Sequence, residues 1–412
     1  MGGKVLPRLP VIEDIDIEKL KVLVRVDFNV PMDLEGKILD DSRIRAHLKT
    51  IRDLLDSGCA VVLLSHQGRP GEEGFTQLKP HSEVLSRHLG IEVKFVEDVM
   101  GPTALSEIKK LGYGEVLLLD NVRFVSEELI EAPPEVHAKS FLVRRLAPLF
   151  DLYVFDAFAT AHRSQPSIVG FPMVVKSVIG HVMKSEVEAL RKIVDSDYSP
   201  RVFVLGGAKV ADTLKIIENL TKNRLADRIL TTGLVALVFH IARGGKISEN
   251  VLKVLEERGL MTLVPRARRI LLGGAPIDVP LDYVVVKNNG EIDECPASTI
   301  TGRPMDIGTY TMQMYSELMR DAKLIVMRGP AGYIEDPKFR AGSEALVSAA
   351  LRSGAFLVIG GGHLGALVEG ANRDKVHIST GGGALLMALA GEELPAIKAL
   401  KESAKRFFGW NC

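Results

Sequence analysis

The stretch Val358–Leu367, VIGGGHLGAL, ends an apolar run in a glycine turn and opens a helical pattern. Gly360, Gly362 and Gly365 fit G-x-G-x-x-G, the spacing that lets a strand–turn–helix unit present backbone N–H groups to a pyrophosphate. Comparable strand-to-helix turns recur in the second half. VFVLGGAKVADT carries Gly206, Gly207 and Lys209, LIVMRGPAGYIE carries Gly329, Gly332 and Glu335, and VHISTGGGALL carries Gly381, Gly382 and Gly383. Glycine lets the backbone approach a ligand closely, and the free N–H groups that open a helix hold phosphate. Several such turns in one segment point to a nucleotide. The dinucleotide fingerprint expects an acidic residue about 20 positions further on, after the next strand. Here the next strand, KVHIST, runs into glycines, and Asp374 precedes it. No G-x-x-x-x-G-K-[ST] occurs either. The expected site is a nucleotide site that is neither a dinucleotide fold nor a P-loop.

The first half places charge, not glycine, after its apolar runs. KVLVRV is followed by Asp27, Phe28 and Asn29, and AVVLL by Ser65, His66, Gln67, Gly68 and Arg69. EVLLLD is followed by Asn121 and Arg123, and LYVFDAFAT by His162 and Arg163. Arg43 lies in LDDSRIRAHL, just before a helical pattern. In an open α/β sheet, ligands bind beyond the carboxyl ends of the strands. Cations gathered on that edge repel one another unless a multiply charged anion sits among them, and arginine binds phosphate or carboxylate bidentately. Asp27 and Asn29 supply acceptors for a hydroxyl of the same ligand. His162 reads equally well as support behind the site.

The elements behind these residues follow from the pattern. The apolar runs are mostly continuous rather than alternating, as in parallel strands buried on both faces, and helical patterns separate them. RVFVLGG, RILTTG, DYVVV, KLIVMRG, AFLVIGG and KVHIST are the runs of the second half. The fold class expected is α/β, with parallel sheets covered by helices. A chain of 412 residues suggests two domains. A boundary is expected near 180–200, where the amphipathic pattern HVMKSEVEALRKIVDS is followed by DSDYSP.

Composition excludes whole classes of function. With 52 basic and 52 acidic side chains the formal charge is zero, which argues against nucleic acid and anionic membranes as partners. No apolar run is long enough for a membrane span. The start, MGGKVLPRLP, lacks the apolar core of a signal peptide, so a cytoplasmic protein is expected. Cys59, Cys295 and Cys412 lie too far apart for metal-ligand spacing or a disulfide framework. The aromatic tail KRFFGWNC, with Trp410, reads as a docked hydrophobic end.

A basic half and a glycine-rich half suggest two ligands, and phosphoryl transfer suits such a pair because it depends on positioning and charge neutralisation more than on a covalent nucleophile. The segments RVDFNVP, SRI, SHQGRP, LLLDNVRF, DAFATAHRS, GGAKVADT, GPAGYIE, GGGH and STGGGALLMALAGEELPAIKAL resemble the phosphoglycerate kinase family, most closely its archaeal branch, in family order from about residue 21 to residue 400. The resemblance implies two Rossmann-like three-layer domains: a phosphoglycerate-binding domain over 1–182, a hinge helix over 183–198, a nucleotide-binding domain over 199–390, and a tail over 391–412 that packs back on the first domain. It implies reversible phosphoryl transfer between 1,3-bisphosphoglycerate and ADP, giving 3-phosphoglycerate and ATP, with Mg²⁺ bound to the nucleotide, in glycolysis and gluconeogenesis. By motif, Asp27, Phe28, Asn29, Arg43, His66, Gln67, Gly68, Arg69, Arg123 and Arg163 would surround phosphoglycerate. Gly207, Lys209, Glu335 and Gly360, Gly361, Gly362 and His363 would meet the nucleotide, Glu335 at the ribose. Arg43 and Lys209 would neutralise the moving group, assisted by the amides of Gly381 and Gly382.

Three departures accompany the resemblance. The family commonly has GGGD where this chain has His363, so Mg²⁺, which prefers oxygen, is expected to rely on nucleotide phosphates and water with no protein ligand. Thr213 replaces a second lysine, with Lys215 two places on, and Arg328 replaces an asparagine. Two other readings stay open on the residues: a nucleotide-linked dehydrogenase, from the glycine triplet, and an anion-binding module that transfers nothing.

Overall fold

The computed structural model describes residues 8–368, 370 and 374–410. They form two compact units, one of Ala189–Glu392 and the other of the residues up to Glu188 together with those from Glu393 onward. Among the described residues no helix is long and apolar enough to cross a membrane.

The first unit in the chain contains β1 (Lys21–Arg25), β2 (Ala60–Leu64), β3 (Val93–Val96), β4 (Val116–Leu119), β5 (Leu152–Phe155) and β6 (Ser177–Ile179). They pair in parallel in the order β3-β4-β2-β1-β5-β6. Strands β2, β4 and β5 are buried along their whole length, so both faces must be apolar. The chain starts at β1, builds outward through β2 and returns through β5 on the other side. This reversal opens a crevice at the carboxyl end of β1, where ligands bind in open α/β sheets. The core on one face gathers Val22, Val24, Leu63, Leu118 and Val154 with Phe28, Ile44 and Ile51.

The second unit repeats the plan with β7 (Arg201–Leu205), β8 (Arg228–Thr231), β9 (Ile277–Asp278), β13 (Leu324–Arg328), β14 (Phe356–Gly360) and β15 (Val376–Ser379). Their order is β15-β14-β13-β7-β8-β9, all parallel. Its reversal lies between β7 and β13. A separate sheet of β10 (Asp282–Val286), β11 (Ile292–Pro296) and β12 (Arg303–Ile307) is antiparallel. DYVVV is β10, and this corrects its reading as a buried parallel strand. The segment after it turns back at once, with Gly290 at φ +83° and the Lys287 amide donating to the Glu291 carbonyl. A run of valines does not encode strand direction; this hairpin turn does. Strands β3, β6, β9, β11 and β12 went unread because they are short or polar, as in IDECP.

The helix His181–Val194 carries the chain across the division between Glu188 and Ala189. The helix Pro395–Phe408 belongs to the first unit, where the Ala396 amide donates to the Ala161 carbonyl and Phe408 packs against the core. Trp410 lies 5.8 Å from Phe408, with the Arg8 guanidinium over its ring. Asn411 and Cys412, at the end of the tail, lie outside the described residues. Cys59 and Cys295 are buried free thiols.

His81, on the helix Lys79–Leu89, is fully buried and contacts Gln67 Oε1 at 3.2 Å. Burial pulls its pKa from 6.5 down to about 4. The unfolded chain therefore binds this proton at higher pH than the native state does. The stability held by neutral His81 is complete above about pH 6.5 and drains away as pH falls toward 4, by up to about 3 kcal/mol. His81→Gln is expected to lose less stability than the parent between pH 7 and pH 5 in urea unfolding. Equal losses would show that another group governs the acid limb.

Candidate active site

In the first unit, the crevice beyond β1 is built by stitching neighbouring strand ends together. Asn29 Oδ1 accepts from the Gly68 amide at 2.8 Å, and Ser65 Oγ accepts from the Phe28 amide at 2.9 Å. The Gln67 side chain spans the gap, accepting from Val30 N and donating to Val30 O, both at 3.0 Å. Asn121 binds the Gln67 backbone at both ends of its amide and also accepts from the Arg123 amide. Gly68 is required where it stands. Its φ is +65°, and a Cβ there would lie 2.6 Å from the Phe75 backbone. Phe28 has its ring in the core. Phe28, Gln67 and Asn121 thus shape the loop, with the Gln67 amide fully engaged by protein groups.

On this frame the cations converge. Arg43 lies inside the helix Ser42–Ala46 rather than ahead of it and pairs with Asp27 at 2.5 Å. Arg123 is buried and donates to the Gly68 carbonyl. Arg69 is exposed, and Arg163 is half-buried. His66 reports their combined field: burial, then Arg25, Arg123, Arg163 and Arg43, hold its pKa well below the ordinary imidazole value, so it is neutral. Burial and the neighbouring guanidiniums of Arg163, Arg25 and Arg69 pull even Arg123 down to about 10. Burial and Arg69 lower Arg163 as well. Burial followed by Arg163 likewise depresses His162, whose buried Nδ1 has no hydrogen-bond partner.

Two buried arrangements were not singled out in the sequence. Arg25, 1% exposed, binds Ser167 Oγ at 2.9 Å and His66 Nδ1 at 3.2 Å. Ser167 in turn donates from its amide and its hydroxyl to buried Glu128. The second arrangement is a buried His47–Asp156 pair at 2.9 Å. The available signal for the first was a charge inside an otherwise apolar strand, RVDF, which a buried strand admits only with a partner.

In the second unit the glycines divide into two kinds. Gly206, Gly329 and Gly233 close a joint between strand ends: a Cβ on Gly206 would lie 2.1 Å from Thr232 Oγ1, and one on Gly329 2.3 Å from the Gly206 carbonyl. Here backbone meets backbone, with the amides of Gly206, Gly207 and Gly233 donating to Arg328, Pro330 and Ala331. By contrast, a Cβ on Gly361, Gly362 or Gly382 would meet nothing within 4 Å. Gly360 is closed off by the Leu385 side chain at 2.6 Å. Gly361 caps the helix Gly362–Ala366, and Gly381 caps the helix Gly382–Leu389.

Lys209, exposed, caps the helix Val210–Lys222. Thr213 is buried with its hydroxyl on the Lys209 carbonyl, whereas Lys215 is exposed, so the two occupy different faces. Arg328 ends β13 between Leu205 of β7 and Gly360 of β14. Burial lowers its pKa, opposed by Asp212. Glu335 and His363 are exposed. Among the described residues no three His, Cys, Asp or Glu side chains converge as metal ligands. A Mg²⁺ ion that arrives on nucleotide phosphates keeps several waters and would need no such cluster.

The comparisons with known proteins agree in kind. Residues 12–392 match the family model for phosphoglycerate kinase. A phosphoglycerate kinase of Sulfurisphaera tokodaii is 54% identical over 399 residues, covering 96% of each chain. One of Saccharolobus solfataricus is 54% identical over 398 residues, covering 96% of this chain and 97% of the relative. The crystal structure of phosphoglycerate kinase from Pyrococcus horikoshii matches with a TM-score of 0.88 at 41% identity, covering 97% of this chain and 100% of that one. The glycine triplet Gly360, Gly362, Gly365 therefore stands in a chain related to kinases and not to dehydrogenases. By the extent of the matching segment and the identity of its relatives, the chain belongs to the phosphoglycerate kinase family.

Proposed function

We propose that Asp27, Asn29, Arg43, His66, Arg69, Arg123 and Arg163 hold 3-phosphoglycerate or 1,3-bisphosphoglycerate, and that Lys209, Arg328, Glu335 and the open glycines hold ATP or ADP. The observation that carries this is the gathering of cations at one sheet edge: Arg43 pairs with Asp27, Asp27 lies 3.8 Å from His66, Arg25 lies 3.2 Å from the same ring, and Arg123 reaches the Gly68 carbonyl beside it. Such a cluster is balanced by a ligand with several negative charges. Gly68 and Gln67 serve by shaping the loop, and Phe28 by anchoring it.

Family members catalyse reversible phosphoryl transfer between 1,3-bisphosphoglycerate and ADP. In the direction of ATP use, a carboxylate oxygen of 3-phosphoglycerate attacks the γ-phosphorus. One P–O bond forms as the bond to ADP breaks. The carboxylate is already ionised, so no general base is needed. The side chains then have two tasks, alignment and neutralisation of the charge spread over the transferring oxygens. Arg43, fixed by Asp27, and Lys209, at a helix start, fill the second task, with the Gly382 amide as a preorganised donor; the Gly381 amide instead donates to Ser379 Oγ and holds the turn. Glu335 accepts from the ribose hydroxyls, and the amides of Gly361 and Gly362 lie along the phosphates, with Gly207 and Gly360 fixing the turns and His363 at the rim. When bound with the nucleotide, Mg²⁺ supplies charge neutralisation to its phosphates. The helix His181–Val194 is the hinge helix between the two units, the Pro395–Phe408 segment belongs functionally to the phosphoglycerate domain, and the protein acts in the cytoplasm.

Purified protein should release ADP only when Mg·ATP and 3-phosphoglycerate are both supplied. Arg43→Ala should lower turnover by roughly 100-fold or more while nucleotide affinity, by calorimetry, changes little. Near-normal turnover would remove Arg43 from the reaction. The glycines should separate by role: Gly206→Ala should destabilise the fold by about 1–3 kcal/mol, whereas Gly362→Ala should keep the melting temperature and raise the KM for ATP. A stable Gly206→Ala protein, or an unaltered KM in Gly362→Ala, would reverse that assignment.

A further inference from the structure

His47, Thr50 and Asp53 recur at helical spacing, and the first, through Asp156, and the other two directly reach the start of the helix that leaves the first unit. His47 sits where the helices Ser42–Ala46 and Leu48–Asp56 meet, edge-on to Phe28. Its Nε2 lies 3.1 Å from the Asp27 amide, and an amide can only donate, so Nε2 is the acceptor. Its Nδ1 then carries the proton and donates to Asp156 Oδ2 at 2.9 Å. The other oxygen of Asp156 accepts from the amides of Val182 and Met183 at 2.9 and 3.1 Å, in the first turn of the helix His181–Val194. Thr50 Oγ1 accepts from the His181 amide at 3.0 Å, and the Asp53 carboxylate lies 2.6 Å from the His181 ring. His47 and Asp156 are both buried. There is one unbroken, fully satisfied chain of hydrogen bonds from the backbone of Asp27 to the first turn of the connecting helix.

We propose that His47 is a positioning residue: it couples occupancy of the Asp27–Arg43 anion site to the start of the connecting helix. A ligand that engages Asp27 and Arg43 fixes the Asp27 backbone. The imidazole cannot shift without losing an acceptor at one end or a donor at the other, so the constraint passes to Asp156 and the amides it caps. This rests on the reading that phosphoglycerate binds at Asp27 and Arg43.

The test is hydrogen exchange on the full chain, with and without saturating 3-phosphoglycerate. In the parent protein, peptides covering 26–30 and 181–184 should both slow, the latter by about fivefold or more. His47→Asn keeps a donor for Asp156 but is too short to reach the Asp27 amide; His47→Gln reaches that amide and gives up Asp156. Each breaks the chain at one end. In either variant, protection at 26–30 should persist at saturation while that at 181–184 disappears. Turnover should fall by about tenfold, with the KM for 3-phosphoglycerate within about threefold. Slowing at 26–30 without slowing at 181–184 in the parent protein overturns the coupling alone. Absence of both overturns the site reading, and the coupling with it. Undiminished protection at 181–184 in a folded variant also overturns it.

Discussion

The constraint on which the first unit depends is the mutual repulsion of guanidinium groups at one sheet edge. Arg25, Arg43, Arg123 and Arg163 all bear on the buried ring of His66. Each would gain by moving apart into water, and the fold prevents it. Arg25 is held inside by Ser167 and Glu128, a buried acid that the Ser167 amide and hydroxyl keep in place. Arg43 is held by Asp27, and Arg123 by the Gly68 carbonyl. The stitched loops, with Gln67 and Asn121 engaged at both ends, resist the spreading that would relieve the cluster. The unit thus stores positive potential in a rigid frame, as preorganised electrostatic binding requires.

The second unit solves a different problem with the opposite residue type. Three strand ends must meet so closely that only glycine fits, as Gly206, Gly233 and Gly329 show by what a Cβ would strike. That joint fixes the angle at which β7 delivers Lys209 and β13 delivers Arg328 to the reversal point of the sheet. The open glycines on the neighbouring strand ends are then left free to present their amides. A single count of glycines conceals this division between packing and binding.

Much of the candidate site was legible in the sequence, because open α/β sheets put ligands beyond the carboxyl ends of their strands, and a strand end is visible wherever an apolar run stops. Asp27, His66, Arg69, Arg123 and Arg163 all follow such runs, and Lys209 follows a glycine turn. Arg25 and His47 were less visible, since one lies within a strand and the other within a helical pattern, where a charged or polar residue ordinarily faces water. DYVVV shows the converse limit: its valines were recognised as a strand but assigned to the wrong sheet.

The sequence by itself determined the α/β class, the longer apolar strands, the reaction family and which of those strand ends carry charge and which carry glycine. These are local properties: hydrophobic period, turn chemistry and residue type need no distant partner. Only the tertiary structure decided which glycines are packed shut and which are open, that β10 pairs antiparallel, and that Arg25 and His47 touch the candidate site through His66 and the Asp27 amide. Those outcomes depend on contacts between residues far apart in the chain, such as His47 with Asp156 across a separation of 109 positions, and no local pattern encodes a partner at that distance.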